Sequence, residues 1–174
     1  RLEEMNLKRN ANIHRAVHRL ADEATAAYEQ ARDDARTYLN AASRKEIIFT
    51  SGDTAAINLV AYSFGQVFVN EGDEIIVGEA EHHSNIVPWQ LLAARKKAVV
   101  RYWRIREDGT YALEDLRSLL TDRTRLVCVG HASNVLGLLN PVREIVEICH
   151  TKKVPVLVDG AQGIVHTAVD VQAM

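Results

Sequence analysis

The sequence predicts an α/β fold of three layers, in which a mostly parallel sheet is covered by helices on both faces. Short apolar runs alternate along the chain with segments of helical periodicity, an order typical of βαβ crossovers. Two runs, at 124–131 and 154–160, are nearly continuous in Val and Leu, as strands buried on both faces are. A chain of 174 residues is long enough for one domain with a substantial core.

The elements follow one another in a regular order. A long amphipathic helix at 16–42 comes first, because Ala, Glu and Arg dominate there and apolar residues recur at helical spacing. Strands are predicted at 46–51, 73–79, 98–105, 124–131 and 154–160. Helices are predicted at 54–68, 85–97, 113–120 and 141–152. Pro141 suits the first turn of the last helix, where its missing N–H needs no partner.

Composition and charge exclude several kinds of partner. Lys and Arg total 21 and Asp and Glu total 23, so the net charge of -2 predicts neither nucleic acid nor an anionic membrane as a partner. No apolar run is long enough to span a bilayer. Cys128 and Cys149 are too few for a disulfide framework and form no Cys-x-x-Cys pair, which favours the reducing cytoplasm. The chain has no initiator Met and stops just after an apolar segment, so we expect a piece of a longer protein.

Small and polar residues follow four of the five predicted strands. The clusters are TSGDT at 50–54, GEAEHHSN at 78–85, GHASNVLG at 130–137 and DGAQG at 159–163. In open α/β sheets, ligands bind beyond the carboxyl ends of the strands. Turns and helix caps would explain any one cluster alone, but four clusters with different chemical groups favour a ligand site.

The first cluster has the form of an anion site. A strand, then Ser51, Gly52, Asp53 and Thr54, then a helix is the arrangement in which free N–H groups and the positive helix end hold an anion. Gly52 allows close approach of the backbone, and the hydroxyls of Ser51 and Thr54 are further donors. The cluster is neither a Walker loop nor a Gly-x-Gly-x-x-Gly fingerprint, so its sequence does not specify the anion.

Two further side chains have two interpretations each. His82 is either an imidazole lying flat on an aromatic cofactor or a loop residue that caps the following helix. A metal site is disfavoured, because no Cys or His lies at a spacing that would complete it. Asn134 either donates its amide to a ligand oxygen or bonds its own backbone, as asparagines in turns do.

Asp159 ends the most apolar predicted strand, where an unpartnered carboxylate would not stay charged. Backbone N–H groups or an arginine would serve as its partner. The functional alternative is a cationic group of a ligand, and a protonated pyridine nitrogen fits best. The small residues Gly160 and Ala161 would leave Asp159 accessible, with Gln162 as a nearby amide donor.

Together these motifs resemble the class V branch of fold-type I pyridoxal-phosphate enzymes, and within it the Suf-type cysteine desulfurases and selenocysteine lyases. The likeness is carried by NANIHRAVHRLA (10–21), EIIFTSGDTAAINLVA (46–61), EHHSNIVPWQ (81–90), HASNVLGLLNPV (131–142) and VDGAQGIVHTAVDVQAM (158–174). These stretches run in the family's order along almost the whole chain. The combination of EHHSNIVPW with SNVLG and VDGAQ is highly specific.

The resemblance implies a site for pyridoxal 5′-phosphate. It implies that Asp159 bonds the pyridine N–H and that His82 stacks on the ring and takes part in proton transfer. Asn134 and Gln162 match the two amides near the 3′-oxygen of the ring. The implied reaction converts L-cysteine to L-alanine and leaves the sulfur as an enzyme persulfide, which a sulfur-acceptor protein takes for iron–sulfur cluster assembly. The implied assembly is a homodimer.

This chain departs from the family at one position of the phosphate-binding segment, the phosphate cup. Thr54 and the backbone around Gly52 match part of the cup, but Asp53 stands where the family usually has Thr. A carboxylate facing a phosphate would remove a donor and add repulsion, whereas the same side chain turned outward would cap the helix. Weak phosphate binding is therefore one hypothesis.

The catalytic nucleophiles of the family are a second departure. Its Schiff-base lysine lies in a Ser-Gly-His-Lys motif beyond Asp-Val-Gln, and this chain has no such motif. Its sulfur-accepting cysteine lies later still, and Cys128 and Cys149 do not match it. The likeness therefore implies an N-terminal segment with the long helix at 1–45, part of the cofactor-binding large domain at 46–174, and no small C-terminal domain. We expect the chain alone to be inactive.

Two alternatives to a cysteine desulfurase stay open. One keeps the cofactor and changes the reaction, to selenocysteine lyase or another class V activity such as β-elimination or epimerisation. The other is a non-catalytic relative that acts as a binding or interaction protein, and Asp53 is the residue that supports it.

Overall fold

The computed structural model describes residues 11–14 and 18–174. Within them, the helices are α1 (Arg19–Leu39), α2 (Asp53–Tyr62), α3 (Phe64–Phe68), α4 (Val87–Lys96), α5 (Leu113–Leu119), α6 (Val142–His150) and α7 (Gly163–His166). Two 3₁₀ helices lie at Arg44–Glu46 and His83–Asn85. The strands are β1 (Glu74–Gly78), β2 (Val99–Trp103), β3 (Thr124–Gly130) and β4 (Val156–Asp159). The predicted helix start at 16 lies outside the described residues.

The four strands form one sheet in the order β2-β1-β3-β4, and every neighbouring pair is parallel. At the carboxyl edge, Gly78 of β1 pairs with Trp103 of β2, and Gly130 of β3 pairs with Asp159 of β4. Parallel neighbours need a crossover between them, and the helices supply it. The predicted α/β fold with a parallel sheet is confirmed.

Two apolar cores lie on opposite faces of this sheet. Successive residues of a strand point to opposite faces, and β1 accordingly directs Ile75 into one core and Ile76 into the other. The core around Ile75 contains Trp89 of α4, and the core around Ile76 contains Leu116 of α5. All four side chains are 0% exposed. Helices therefore cover both faces, as predicted.

The predicted strand at 46–51 is wrong. Arg44–Glu46 forms a 3₁₀ helix, and Ile47 is extended, with φ of -96° and ψ of 116°, but lies outside the four-stranded sheet of the described residues. Ile48 beside it is 67% exposed. The apolar, β-branched pattern indicates an extended backbone, but a strand also requires a neighbour to pair with, and the pattern does not reveal one.

The helix predicted at 54–68 is interrupted. α2 ends at Tyr62 and α3 begins at Phe64, and Ser63 between them has φ of -94° and ψ of -77°. The Ser63 hydroxyl donates to the Leu59 carbonyl at 2.7 Å, a type of bond that bends helices. The helical periodicity continues through Ser63, so the break was missed.

The strand predicted at 154–160 is less buried than expected. β4 is an edge strand, and Val156–Asp159 are all half-buried. Ile75 and Val127, in the two central strands, are 0% exposed. The expectation of full burial on both faces is wrong for β4, which lies at the edge of the sheet that the described residues form.

The chain divides into two compact units. One contains the described residues up to Ile48 with Val169–Gln172, and the other contains Phe49–Ala168 with Ala173 and Met174. In the first unit, His18 Nδ1 accepts a hydrogen bond from the Ala21 N–H and caps α1. The sheet and both cores lie in the second unit. No helix in the described part of the chain is long and apolar enough to cross a membrane.

Candidate functional site

A cleft of about 260 Å³ opens at the carboxyl edge of the sheet, within the second unit. Six of the seven predicted site residues line it: Asp53, Thr54, His82, Asn134, Asp159 and Gln162. The seventh, Gly52, precedes Asp53 and is the cap residue of α2. Three of the polar clusters meet because the parallel strands before them end at one edge of the sheet, and the cluster at 50–54 reaches the same cleft through the start of α2.

The start of α2 forms one side of the cleft. Gly52 has φ of 153°, a conformation that favours glycine, and no side chain of the described residues caps α2. Asp53 instead lines the cleft, where partial burial and then the charge of Asp159 raise the pKa of its carboxyl, against an opposing effect of His82. The alternative in which Asp53 caps the helix is not observed, because no side-chain hydrogen bond of the described residues caps α2.

His82 fulfils the capping interpretation and also lines the cleft. Its Nδ1 accepts a hydrogen bond from the Ser84 N–H at 3.2 Å and lies 2.8 Å from the Ser84 hydroxyl, at the start of the 3₁₀ helix. With Nδ1 as acceptor, the neutral ring carries its hydrogen on Nε2. Capping thus fixes the orientation of the imidazole without removing it from the cleft.

Asp159 lies at the end of β4 with a backbone partner. Its Oδ1 accepts a hydrogen bond from the Ala161 N–H at 3.0 Å. Among the described residues, no Arg or Lys forms an ion pair with it. The carboxylate is half-buried rather than sealed among aliphatic side chains, because β4 is an edge strand. Solvent and ligands can therefore reach it.

The loop after β3 presents Asn134 to the cleft. The hydroxyl of Ser133 accepts hydrogen bonds from the N–H groups of Val135 and Leu136 at 3.3 and 3.1 Å, so Ser133 organises the turn. The Asn134 side chain forms no hydrogen bond within the described part of the chain. Its amide is available to a ligand, and the alternative in which it bonds its own backbone is not observed.

Sequence reasoning missed Glu81, which is half-buried and lines the same cleft. Its Oε2 accepts a hydrogen bond from Asn85 Nδ2 at 2.7 Å, and Asn85 Oδ1 accepts one from Trp89 Nε1 at 3.0 Å. Burial raises the pKa of the Glu81 carboxyl to about 7, and the charge of Asp159 adds to the shift. The sequence shows an acidic residue beside His82, but it does not show that its carboxyl group is withdrawn from solvent.

Tyr111 and Asn140 were also missed. The Tyr111 hydroxyl accepts a hydrogen bond from the Ala80 N–H at 2.8 Å, and Asn140 Nδ2 donates to the Gly130 carbonyl at 2.7 Å. Both line the cleft and fix the loops on either side of it. Neither residue directly follows a predicted strand, so their positions in the sequence did not indicate that they line the cleft.

The two cysteines are buried thiols. Burial raises the pKa of Cys149 to about 11 and that of Cys128 well above its usual range. The thiolate is the nucleophilic form of cysteine, so neither side chain is suited to accept sulfur. The described residues also hold no group of three His, Cys, Asp or Glu arranged to bind a metal ion.

Comparison with known proteins identifies the family. The model of the class-V aminotransferases matches residues 1–174. The chain belongs to the class-V aminotransferase family. It is 48% identical over 165 residues to a probable cysteine desulfurase from Halalkalibacterium halodurans, and 49% identical over 165 residues to a cysteine desulfurase from Synechococcus elongatus. Each match covers 95% of the chain, but only 41% and 26% of those relatives.

Solved structures of the same kind share this fold. The cysteine desulfurase CsdA from Escherichia coli superimposes with a TM-score of 0.82 at 38% identity, covering 93% of this chain and 41% of that one. The apo cysteine desulfurase from Thermococcus onnurineus gives a TM-score of 0.91 at 35% identity, covering 99% of this chain and 42% of that one. This chain therefore spans less than half of the length of these relatives.

Proposed function

We propose that this chain is the cofactor-binding part of a pyridoxal 5′-phosphate-dependent cysteine desulfurase. One observation carries the proposal: Asp159, His82 and Asn134 meet in a single cleft beside the first turn of α2. The relatives that bear the name cysteine desulfurase support the same reaction class, since they match 95% of the chain at nearly half identity.

The groups in the cleft fit this cofactor. The second oxygen of Asp159 would accept a hydrogen bond from the N–H of a pyridinium ring, since Oδ1 already accepts one from the Ala161 N–H. The amides of Asn134 and Gln162 suit the ring oxygen, and the free N–H groups at the start of α2 suit the phosphate. Bound there, the cofactor supplies an electron sink for negative charge at the substrate α-carbon.

The side chains of the chain itself have separate tasks in this proposal. Asp159 would hold a proton on the ring nitrogen, and that positive charge would strengthen the electron sink. His82, whose orientation is fixed by Ser84, would hold the ring and could exchange a proton at Nε2. Thr54 adds a hydroxyl donor for the phosphate.

The wider biology rests on likeness to cysteine desulfurases. We propose that the whole protein takes L-cysteine, forms a persulfide, and passes sulfur to an acceptor protein for iron–sulfur cluster assembly, as a cytoplasmic homodimer. The buried thiols of Cys128 and Cys149 support an acceptor cysteine elsewhere in the whole protein. The Schiff-base lysine is likewise assigned to a part outside these 174 residues.

The direct test is binding of pyridoxamine 5′-phosphate, which lacks the aldehyde that would react with surface lysines. Calorimetry should show binding to the chain, and Asp159→Asn should weaken it about tenfold or more, since a hydrogen bond to a charged group contributes about 1.5–3 kcal/mol. Asn keeps an oxygen for the Ala161 N–H, so the turn is preserved. Asp115→Asn, on the exposed side of α5, is the matched control. Equal affinity of all three proteins would refute the proposed role of Asp159.

Asp53 favours a second candidate, a non-catalytic relative that has lost the cofactor. Its carboxylate faces the cleft at the position proposed for the phosphate, and its pKa is raised by partial burial and by Asp159. Failure of the unaltered chain and of the whole protein to bind pyridoxamine 5′-phosphate would support this candidate. A selenocysteine lyase would instead bind the cofactor and prefer selenocysteine to cysteine as substrate.

A further inference from the structure

The carboxyl group of Glu81 occupies a space formed by two strand ends. Gly78 ends β1 and Gly130 ends β3, and the two strands are neighbours. A Cβ atom added to Gly78 would lie 2.7 Å from Glu81 Oε1 and 2.5 Å from the Tyr111 hydroxyl, and one added to Gly130 would lie 3.4 Å from Glu81 Oε2. The absence of side chains at both glycines therefore leaves room for this carboxyl.

A buried chain of hydrogen bonds fixes Glu81 from the other side. Asn85 donates to Glu81 and accepts from Trp89, and both Asn85 and Trp89 are 0% exposed. Because the Trp89 indole N–H is only a donor, it fixes Asn85 with its NH₂ group toward Glu81. The turn that carries His82 is thereby tied to the strand ends.

The charged groups near Glu81 in the described part of the chain include no cationic partner for its carboxyl group. Among the described residues, no Lys or Arg forms an ion pair with it. Its titratable neighbours are Tyr111 and Cys128, which burial keeps neutral, together with Asp159 across the cleft and His82 next in sequence. Glu79, also at the end of β1, points away to Arg104 and Ile105. Among the described residues, Asp159 supplies the charge that opposes ionisation of Glu81 by repulsion.

We propose that Glu81 is a positioning residue that holds the His82 turn and releases a proton when a cationic ring pairs with Asp159. The inference rests on the proposed function, since that function supplies the cation. A cation at Asp159 cancels its repulsion of Glu81, so the carboxyl ionises more readily. The proton passes from the Glu81 carboxyl to the solvent, and the carboxylate that remains keeps its hydrogen bond from Asn85.

Calorimetry of pyridoxamine 5′-phosphate binding tests this inference on the full chain. Titrations in two buffers with different ionisation enthalpies give the number of protons exchanged on binding. Near pH 7, where burial places the pKa of Glu81, the unaltered chain should release more protons than Glu81→Gln. The ligand's own protonation is the same in both proteins and cancels in the difference. Glu79→Gln, at the same strand end but outside the cleft, should match the unaltered chain.

The possible outcomes distinguish a failure of this inference from a failure of the proposed function on which it rests. A proton difference near pH 7 that fades about two units above and below supports the inference, because a titrating group changes its charge mainly within that range. Binding with equal proton counts in the unaltered chain and Glu81→Gln would overturn the inference and leave the proposed function intact. No binding in any variant would overturn both. A purely structural role would change affinity alone, without changing the proton count.

Discussion

Two carboxylates at residues 53 and 159 share the proposed cofactor site and oppose each other electrostatically. The charge of Asp159 raises the pKa of Asp53, and His82 acts in the opposite direction. In the proposed function, Asp159 is the partner of a pyridinium ring, whereas Asp53 faces the anionic phosphate. The same type of side chain is therefore favourable at one end of the cleft and unfavourable at the other.

Asp53→Thr should tighten binding of pyridoxamine 5′-phosphate. Two unit charges about 4 Å apart repel by up to about 4 kcal/mol at an effective dielectric near 20, and Thr removes the charge and adds a hydroxyl donor. Asp53→Asn is the control that removes only the charge, so the difference between the variants isolates the hydroxyl. Calorimetric affinities that stay unchanged in both variants would show that Asp53 does not face the phosphate.

Glu81 should make the stability of the fold depend on pH. Its pKa rises from 4.5 to about 7 in the folded state, so the folded chain binds more protons between these values and loses stability as pH rises through them. The loss approaches about 3 kcal/mol, at about 1.4 kcal/mol for each unit of the shift. Urea unfolding across this range should therefore show a decline that Glu81→Gln lacks. The same decline in Glu81→Gln would exclude Glu81 as its cause.

At the scale of the elements, strands were predicted well where burial is deep. The central runs at 73–79 and 124–131 are apolar on both faces because cores lie above and below them, and the structure confirms both as strands. The run at 46–51 was misassigned because pairing depends on a neighbour, which local sequence does not specify. The break at Ser63 was missed because the helical periodicity continues through this residue, and the periodicity does not reveal the bond from its hydroxyl to the Leu59 carbonyl.

Ile76→Ala should destabilise the chain by about 2–5 kcal/mol, the usual cost of truncating a fully buried Ile. Ile76 is 0% exposed and packs in the core with Trp103 and Leu116, so the cavity cannot be filled by solvent-facing side chains. Val99→Ala is the matched control, since Val99 is 50% exposed on the edge strand β2. Its cost should stay below about 1 kcal/mol in the same urea unfolding experiment. Equal costs would contradict the assignment of β1 to the centre of the sheet.

At the scale of the whole molecule, the parallel sheet is what converts separate motifs into one site. Four residues that are far apart in sequence line one cleft: Asp53, His82, Asn134 and Asp159. The strands before the last three end at one edge of the sheet, and Asp53 lies in the segment that enters the cleft at the start of α2. Polar clusters after strands were enough to predict His82, Asn134 and Asp159, whereas Asp53 was predicted from a run that is not a strand. Glu81, Tyr111 and Asn140 were beyond such reasoning, because their importance lies in burial and in contacts across loops.

The central claim is that Asp159 pairs with a protonated ring nitrogen, and the state of that nitrogen can be measured directly. Nuclear magnetic resonance of pyridoxamine 5′-phosphate, isotope-labelled at the ring nitrogen and bound to the chain, should show a protonated nitrogen at a pH where the free ligand has lost that proton. In Asp159→Asn the bound nitrogen should lose its proton at a lower pH, because the carboxylate no longer stabilises the cation. A nitrogen that titrates identically when free, when bound to the unaltered chain and when bound to Asp159→Asn would contradict the account.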